Sequence, residues 1–374
     1  MKRRLNILQL VNFRWYNACA HYAIALSSGL QKRGHRVILA GDRNSPPLQV
    51  AEYTGLEIFP DLYLSHQNPG RFFYNIKRLK DVIEQDKIDL VNAHQGAGQL
   101  YASLVKKLFK NRFILIRTRG DQRKPKGNLF NRRLNLKWTD GIITTADTLR
   151  KSYLENFHSD EKRIINIPLG IDPYYFSPIE KNVELSRNMG ISDGELVVGV
   201  LGRLSPVKGH RYFIRAAAEV LKSFQNVKFL IAGEDAQVKS FRLKELVKEM
   251  GISDKFIFIG RIEDPRKLIS LMDIAVVAST GSETIARVAL EYMALGKPVV
   301  GMEINAIPEV VKNGINGFVV RPENNRGMAD AILQLLNDKD KREKFGKASR
   351  ALVENEFSLD SFVDKTEEFY FRFF

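Results

Sequence analysis

Two cations stand in a loop flanked by glycines, GRLSPVKGH at residues 202–210, between an apolar run and an amphipathic stretch. Gly202 allows a tight turn out of a strand, and Gly209 allows close backbone approach. Arg203 and Lys208 bring a planar guanidinium and a compact ammonium to the start of a helix. Because helix N-termini also attract anions, the loop predicts a diphosphate-binding site. A solvated loop with two surface cations is the alternative.

Two glutamates eight residues apart follow in the stretch SETIARVALEYMALGKPVV. If Glu283 and Glu291 lie on one helix, they are separated by about 12 Å along its axis, which matches the reach of a ribose–diphosphate–sugar unit. Glu291 lies among apolar residues, so we expect it to be partly buried and to need hydroxyl partners. The phosphates would then lie at the helix N-terminus near Thr284 and Ile285. From spacing alone, each glutamate taken singly is better explained as an ordinary first-turn or surface carboxylate.

Positive charge is concentrated in the first half of the chain. The net charge is +15 overall, with +14 in residues 1–172 and +1 in residues 173–374. Such an excess predicts an anionic partner, which could be a membrane surface, a phosphorylated substrate or nucleic acid. No nucleic-acid-binding motif accompanies the charge, so we expect no nucleic-acid partner. The segment RFFYNIKRLK at 71–80 mixes cations with aromatic residues, as interfacial helices do.

A second basic cluster, RTRGDQRKPK at 117–126, follows a predicted strand. Loops at the carboxyl ends of parallel strands bind ligands. We therefore predict that Arg117, Arg119 and Arg123 contact a phosphorylated or carboxylated acceptor. A solvated, highly charged face is the alternative for the more distant lysines.

Composition narrows the class of protein. A chain of 374 residues predicts two domains. The single cysteine, Cys19, excludes a disulfide framework and indicates a reducing compartment. No run of about 18 apolar residues occurs, so no transmembrane helix is predicted. We expect a cytoplasmic protein that is peripheral at the inner face of the plasma membrane.

Short β-rich runs alternate with amphipathic stretches twice along the chain, which predicts an α/β protein with two doubly wound, Rossmann-like domains. Strands are predicted at 5–11, 35–40, 88–93, 113–117, 141–145, 196–201, 227–232, 255–259, 273–278 and 297–301. Helices are predicted between them. The first domain spans 1–172 and the second 195–357. Residues 173–194, with two prolines and no clear strand, are interpreted as a linker. Ligands would bind at the strands' carboxyl ends, facing a cleft between the domains.

Three features in this order resemble the retaining GT-B glycosyltransferases of family 4: GRLSPVKG, the E-x7-E pair followed by MALGKPVV, and IPEVVKNGINGFVV at 307–320. The resemblance implies that Arg203 and Lys208 bind the donor diphosphate. It implies that Glu291 holds the donor ribose and that Glu283 faces the transferred sugar. His94, at the end of a predicted strand, resembles the histidine that faces the donor sugar, although a structural histidine is the alternative reading from sequence position.

Further expectations follow from the same resemblance. The closing helix, 358–374, would cross back onto the N-terminal domain, and backbone near 258–261, including Arg261, would read the nucleotide base.

The first loop departs from the family pattern, because Asn17 and Ala18 stand where a glycine pair is common. Together with the bulky Arg14, Asn17 is predicted to contact the acceptor. The sequence ETIAR replaces the frequent EGFG, which affects the space around the transferred sugar.

The function expected from these features is sugar transfer with retention from a UDP-, GDP- or ADP-sugar, without a metal or other cofactor. The charge favours an anionic, membrane-associated acceptor, such as a lipopolysaccharide or a lipid-linked saccharide of a bacterial envelope. Two alternatives remain open. One is a sugar-nucleotide epimerase or a phosphorylase on a similar fold. The other is a non-catalytic protein that binds nucleotide sugars or anionic polymers.

Overall fold

A computed structural model describes residues 3–64, 68–110, 112–157, 161–260 and 263–374. The chain forms two compact units. The first unit comprises Met1–Gly170 and Leu359–Phe374, and the second comprises Ile171–Ser358. Each unit is a parallel sheet with helices, as the alternation of β-rich and amphipathic stretches predicts.

In the described part of the first unit, seven parallel strands pair in the order β3-β2-β1-β4-β5-β6-β7. Their bounds are β1 Asn6–Leu10, β2 Arg36–Ala40, β3 Glu57–Phe59, β4 Leu90–Ala93, β5 Ile114–Arg119, β6 Gly141–Thr144 and β7 Ile164–Asn166. The helices are α1 Ala18–Lys32, α2 Pro46–Tyr53, α3 Pro69–Gln85, α4 Gly96–Leu108, α5 Leu129–Leu136 and α6 Asp147–Phe157. The strand order reverses between β1 and β4, and such a switch point opens a ligand-binding crevice at the carboxyl ends of the strands.

The second unit repeats this plan with six parallel strands among its described residues, in the order β10-β9-β8-β11-β12-β13. The strands are β8 Leu196–Leu201, β9 Val227–Ala232, β10 Phe256–Ile259, β11 Ile274–Val277, β12 Val299–Met302 and β13 Gly317–Val320. The helices are α7 Val183–Asn188, α8 His210–Val220, α9 Ser240–Glu249, α10 Pro265–Leu271, α11 Arg287–Ala294, α12 Ile307–Val310, α13 Asn325–Leu336 and α14 Lys339–Asn355. Here the switch point lies between β8 and β11.

Burial explains why these segments form these elements. The strands that flank the switch points are apolar and almost fully buried, as is usual when helices cover both faces of a parallel sheet. In α8, Phe213, Ile214, Ala217 and Val220 recur at helical spacing and face the core of the second unit.

The final helix, α15 Leu359–Phe371, belongs to the first unit and packs on α1. Two buried polar contacts fix it there. The hydroxyl of Tyr370 accepts from the side-chain amide of Asn92 at 2.8 Å. Glu367 Oε1 lies 2.9 Å from Nε2 of His35. Because His35 Nδ1 accepts from the Leu5 amide, its proton must be on Nε2, which therefore donates to Glu367.

Residues 173–194 differ from the predicted linker, because they contain α7 and lie in the second unit. The guanidinium of Arg350 binds the carbonyls of Pro173 and Phe176 at 2.9 and 2.8 Å, which anchors this stretch to α14. Sequence inspection also missed α2, β3, β7 and β13. The three strands are only three or four residues long and lie at sheet edges, where one neighbouring strand suffices.

In the described part of the chain, the helices are too short or too polar for any of them to span a lipid bilayer.

Candidate functional site

The loop after β8 carries the first predicted cations. Gly202 has φ +152°, and Gly209 has φ +68°, so both occupy backbone conformations that favour glycine. Arg203 is exposed, and within the described residues its side chain makes no hydrogen bond or ion pair. Lys208 ends the loop one residue before Gly209, at the start of α8. Among the described residues, the loop thus presents one cation without a charged partner, Arg203, and a second cation, Lys208, that forms an ion pair.

Glu283 is the residue that holds Lys208. The ammonium of Lys208 forms an ion pair with Oε1 of Glu283, and the hydroxyl of Ser279 donates to the same oxygen at 2.7 Å. Glu283 is only 6% exposed. The amide of Thr280 also donates to the carbonyl of Val207 at 2.9 Å, so the loops after β8 and β11 are joined by both backbone and side chains. This arrangement fixes a carboxylate and an ammonium at the switch point of the second sheet.

The predicted placement of the two glutamates on one helix is wrong. Helix α11 begins at Arg287, and Glu283 precedes it in a loop in which Ser282 and Ala286 have positive φ angles of 55° and 52°. The distance of about 12 Å derived from helical rise therefore does not apply. The loop is instead shaped by close contacts, including donation from the Ala306 amide to the Glu283 carbonyl at 3.0 Å.

Thr284 and Ile285 are likewise not at the first turn of a helix. Both are buried in the loop before α11, at 5% and 3% exposure. Glu291 does lie on α11 and is 3% exposed, so the predicted burial is confirmed. Its Oε1 accepts from Nε of Arg287 at 2.7 Å. Arg261, the predicted base-side residue, lies outside the described residues.

Helix α11 is tied to the end of β8 through Tyr292. The hydroxyl of Tyr292 accepts from the amide of Leu201, the last residue of β8, at 2.6 Å. Complete burial, together with the charges of Glu291 and Glu283, raises the pKa of Tyr292 far above its usual range. Tyr292 therefore remains a neutral anchor that holds α11 against the end of β8.

A cavity of about 990 Å³ opens at the corresponding switch point of the first unit. Segments that follow β1, β4 and β5 line it. Its lining includes three predicted acceptor residues and the predicted catalytic histidine: Arg14, Asn17, Arg123 and His94. Aromatic residues supply much of the remaining wall: Phe13, Trp15, Phe72 and Tyr101. The cavity can accommodate a ligand that carries both an apolar face and negative charge.

His94 directly follows β4 and is 5% exposed. Its Nε2 lies 2.8 Å from Oε1 of Gln9, a residue of β1 that sequence inspection missed although it interrupts an apolar strand. Burial, followed by the charge of Arg117, lowers the pKa of His94 to about 3. The imidazole is therefore neutral at physiological pH and donates from Nε2 to Gln9. Its role toward a donor sugar stays a prediction.

The pKa of His94 has a measurable consequence for stability. In the unfolded chain this histidine takes up a proton near pH 6.5, whereas in the folded chain it stays neutral down to about pH 3. Lowering the pH from 6.5 to 4 should therefore destabilise the wild type, by about 1.4 kcal/mol per pH unit, relative to the His94→Gln variant. Urea unfolding at pH 7, 5.5 and 4 measures this difference, and parallel pH dependences would contradict it.

Two of the arginines predicted to bind the acceptor have structural partners instead. Arg117 is 3% exposed, and its guanidinium donates to the carbonyls of Ala93, at 2.9 Å, and Thr118. Arg117 lies within β5 and is not among the residues that line the cavity. It braces the end of β4 next to His94, so its predicted acceptor contact is corrected.

Arg119 also has structural partners, because its Nη1 donates to the hydroxyl of Tyr153 at 3.0 Å and its Nη2 pairs with Asp121 at 3.3 Å, and its contact with an acceptor stays a prediction. Arg123, in contrast, is exposed and lines the cavity while it pairs with Asp121. Asn17 lines the cavity but also caps α1, since its Oδ1 accepts from the Ala20 amide at 3.0 Å. That oxygen is therefore already used.

The supporting residues Ser279 and Arg287 were not predicted as site residues. Each stands four residues from the glutamate that it contacts. The spacing of four residues between Arg287 and Glu291 is usual for ion pairs on a helix, so the sequence contains a signal for this contact. Ser279 gave none, because its contact with Glu283 depends on the irregular loop between β11 and α11.

Comparisons with known proteins bear on both units. A family model described as "Glycosyltransferase Family 4" matches residues 20–175, and one described as "Glycosyl transferases group 1" matches residues 182–352. An "Uncharacterized glycosyltransferase MJ1607" from Methanocaldococcus jannaschii is 30% identical over 234 residues, or 61% of this chain and 59% of that protein. The chain thus spans less than two thirds of that relative's length.

Solved structures show the same fold. A glycosyltransferase from Rickettsia africae ESF-5 superimposes with a TM-score of 0.89 at 23% identity and covers 99% of both chains. HepE from Anabaena, in complex with UDP and glucose, superimposes with a TM-score of 0.81 at 20% identity and covers 98% of this chain and 99% of its own. At these identities the likeness establishes the two-unit GT-B fold.

Proposed function

Because the chain belongs to the group 1 glycosyltransferases of family 4, we propose that it transfers a sugar from a nucleotide sugar to an acceptor hydroxyl with retention at the anomeric carbon. The observation that carries this proposal is the contact of Lys208 with Glu283 beside the exposed Arg203. It places a fixed carboxylate and two cations at the switch point of the second sheet. Such a set suits a ligand that combines a diphosphate with a hydroxyl-rich sugar.

The proposed reaction breaks the bond between the anomeric carbon and the diphosphate oxygen. The acceptor oxygen forms the new bond to that carbon on the same face, and its proton passes to the departing phosphate oxygen. Arg203 and Lys208 stabilise the negative charge that grows on the diphosphate, and pre-positioned charges need no reorganisation during the reaction. Glu283 accepts hydrogen bonds from the transferred sugar, and Glu291 accepts them from the ribose. No metal ion is required in this proposal.

The acceptor is proposed to bind the cavity of the first unit. Arg14 and Arg123 supply positive charge there, while Trp15 and its aromatic neighbours supply an apolar wall. An anionic saccharide, free or carried on a lipid, has the matching chemistry. We place the reaction in the synthesis of a bacterial envelope glycan, such as a lipopolysaccharide, on the cytoplasmic side of the membrane.

A surface of the first unit supports attachment to an anionic membrane. Phe73 on α3, Phe109 after α4 and Phe130 on α5 are 71%, 43% and 50% exposed. Cations lie among these rings: Lys80 is 5.3 Å from the ring centre of Phe109, and Lys107 is 4.1 Å from that of Trp138. Phe130 in turn contacts Trp138.

We expect the protein to sediment with phosphatidylcholine vesicles only when they contain anionic phospholipid, and to dissociate at high salt. Each cation near such a surface contributes about 1 kcal/mol. The Lys107→Ala/Phe109→Ser variant should bind less, whereas Tyr53→Ser, which changes a fully exposed tyrosine elsewhere on the same unit, should bind as the wild type does. Failure to bind anionic vesicles at low salt would refute the membrane proposal.

The proposed transferase activity is tested first by ligand binding. Thermal unfolding is measured with UDP, GDP, ADP and CDP and their sugar conjugates, each with Mg²⁺ and with a chelator. One nucleotide series should raise the melting temperature equally in both conditions, since a ligand at about 100 times its Kd stabilises by about 2.7 kcal/mol. The absence of any shift would overturn the donor assignment.

Turnover is then assayed with the nucleotide sugar that binds and with anionic and neutral saccharide acceptors. An α-linked donor that yields an α-linked product, observed by NMR, is the expected result. Binding without turnover on any acceptor would favour a non-catalytic nucleotide-sugar-binding protein. Inversion at the anomeric carbon would contradict the proposed stereochemistry.

A further inference from the structure

The first residue of α11, Arg287, contacts the glutamate proposed to hold the donor ribose. Arg287 and Glu291 are four residues apart, so their side chains lie on the same side of the helix. Nε of Arg287 donates to Oε1 of Glu291 at 2.7 Å. The arginine side chain is 32% exposed and that of the glutamate is 4% exposed. This ion pair therefore joins a solvent-reachable cation to a buried carboxylate.

A buried carboxylate is costly unless charged or polar groups compensate it. Among the described residues, Arg287 supplies the salt bridge to Glu291, whereas Lys208 is engaged with Glu283. Among the described residues, the neighbouring Tyr292 makes no hydrogen bond to this carboxylate, and its hydroxyl accepts from the Leu201 amide. The orientation of the Glu291 carboxylate thus depends on Arg287.

The pairing leaves the second carboxylate oxygen for a ligand. Oε1 of Glu291 is used by Arg287, and in the part of the chain that the structure describes no hydrogen bond reaches Oε2. A carboxylate oxygen with open lone pairs accepts hydroxyl donors but repels phosphate oxygens. The fixed carboxylate consequently suits a vicinal hydroxyl group, such as that of a ribose, rather than the diphosphate.

We propose that Arg287 is a positioning residue for donor recognition, which holds the Glu291 carboxylate so that it accepts from a ribose hydroxyl of the nucleoside diphosphate. The inference rests on the proposed function, because it assumes that the second unit binds the nucleotide. It goes further in one respect: discrimination between a ribonucleotide and its deoxy analogue should depend on a residue that itself does not touch the sugar.

The test is calorimetric titration of the full chain with the nucleoside diphosphate found in the thermal screen and with its 2′-deoxy and 3′-deoxy analogues. Wild type should bind the ribonucleotide about tenfold more tightly than at least one of the analogues, the size expected for one hydrogen bond to a charged group. In Arg287→Met this ratio should fall to near one, mainly because the ribonucleotide binds more weakly. Arg287→Lys should restore part of it.

Three further variants separate positioning from a general structural role. Arg242→Met breaks an exposed ion pair with Glu245 in the same unit and should keep the wild-type ratio. Glu291→Gln should lose the ratio, and adding Arg287→Met to it should lower the ribonucleotide affinity little further. Thermal unfolding checks that each variant is folded. If Arg287→Met does not fold, the ratios measured for Arg287→Lys and Glu291→Gln test the inference.

An unchanged ratio in Arg287→Met would overturn the inference, whether the affinities stay at the wild-type values or the ribonucleotide and both analogues weaken equally. Equal weakening would mean that Arg287 contacts the phosphates directly. Failure of the wild type to bind any nucleotide would instead overturn the proposed function on which the inference rests, so the two failures are distinguishable.

Discussion

Lys208→Ala should lower kcat about 100-fold to 1,000-fold, the usual cost of removing one pre-positioned charge from a site where negative charge develops. The ammonium lies at the end of the loop after β8 and is held by Glu283, which is itself fixed by Ser279. Since the charge of the diphosphate grows as the sugar bond breaks, kcat and kcat/KM should fall together, with a smaller change in KM. Steady-state kinetics with the donor identified by thermal shift measures both constants.

Two comparisons make this result specific. Lys222→Ala removes an exposed lysine that pairs with Glu219 in the same unit, and it should leave kcat unchanged. Lys208→Ala also leaves Glu283 without its cation, so Lys208→Ala/Glu283→Gln is measured alongside. A double variant no slower than Lys208→Ala alone would show that the two residues act as one unit. Wild-type turnover in Lys208→Ala would refute the site assignment.

Gly209→Ala should destabilise the second unit by about 3 kcal/mol or more, because two costs add. Its φ of +68° is unfavourable for alanine, and a Cβ there would overlap the carbonyl oxygen of Ala278. The overlap is with backbone on β11's carboxyl side, so the loop itself must move. For a unit of this size the melting temperature should fall by about 6–12 °C. The displaced Lys208 should reduce turnover as well.

The chain offers a matched control for the Gly209 prediction. Gly251, after α9, has φ +69°, and a Cβ at that position would meet nothing within 4 Å. Gly251→Ala therefore carries the backbone cost alone, about 1 kcal/mol, with normal turnover. Differential scanning calorimetry of the two variants separates the contributions. Equal losses of stability would mean that the approach to Ala278 does not constrain the loop.

Much of the fold was predictable because local patterns determine it. Apolar runs of four to six residues gave the central strands of both sheets, and helical periodicity gave α8 and most other helices. The edge strands β3 and β7 have only three residues each, too few for a local signal, and pairing with one neighbouring strand creates them. The segment 173–194 looked like a linker because its anchor, Arg350, is distant in sequence.

The sequence alone also named the candidate groups of the site and the order in which they occur. Arg203 and Lys208 could be named because a cationic loop after a strand is a local pattern, and Glu283 and Glu291 because the segments around them resemble a known family. Their arrangement in space depends on the fold. Glu283 leaves the helix because residues with positive φ shape the loop before Arg287.

The same distinction holds for the basic residues of the first unit. Composition predicts an excess of positive charge, but it does not separate a buried guanidinium from an exposed one. Arg117 was predicted to meet an acceptor, and instead it is buried at carbonyls of β4 and β5, while Arg123, six residues later, remains exposed beside the cavity. Residue type and order are local properties of the chain, whereas burial and partners arise from segments brought together by folding. The kinds of charged group and their order thus follow from the chain itself, whereas their exposure to a ligand follows from the way the chain folds.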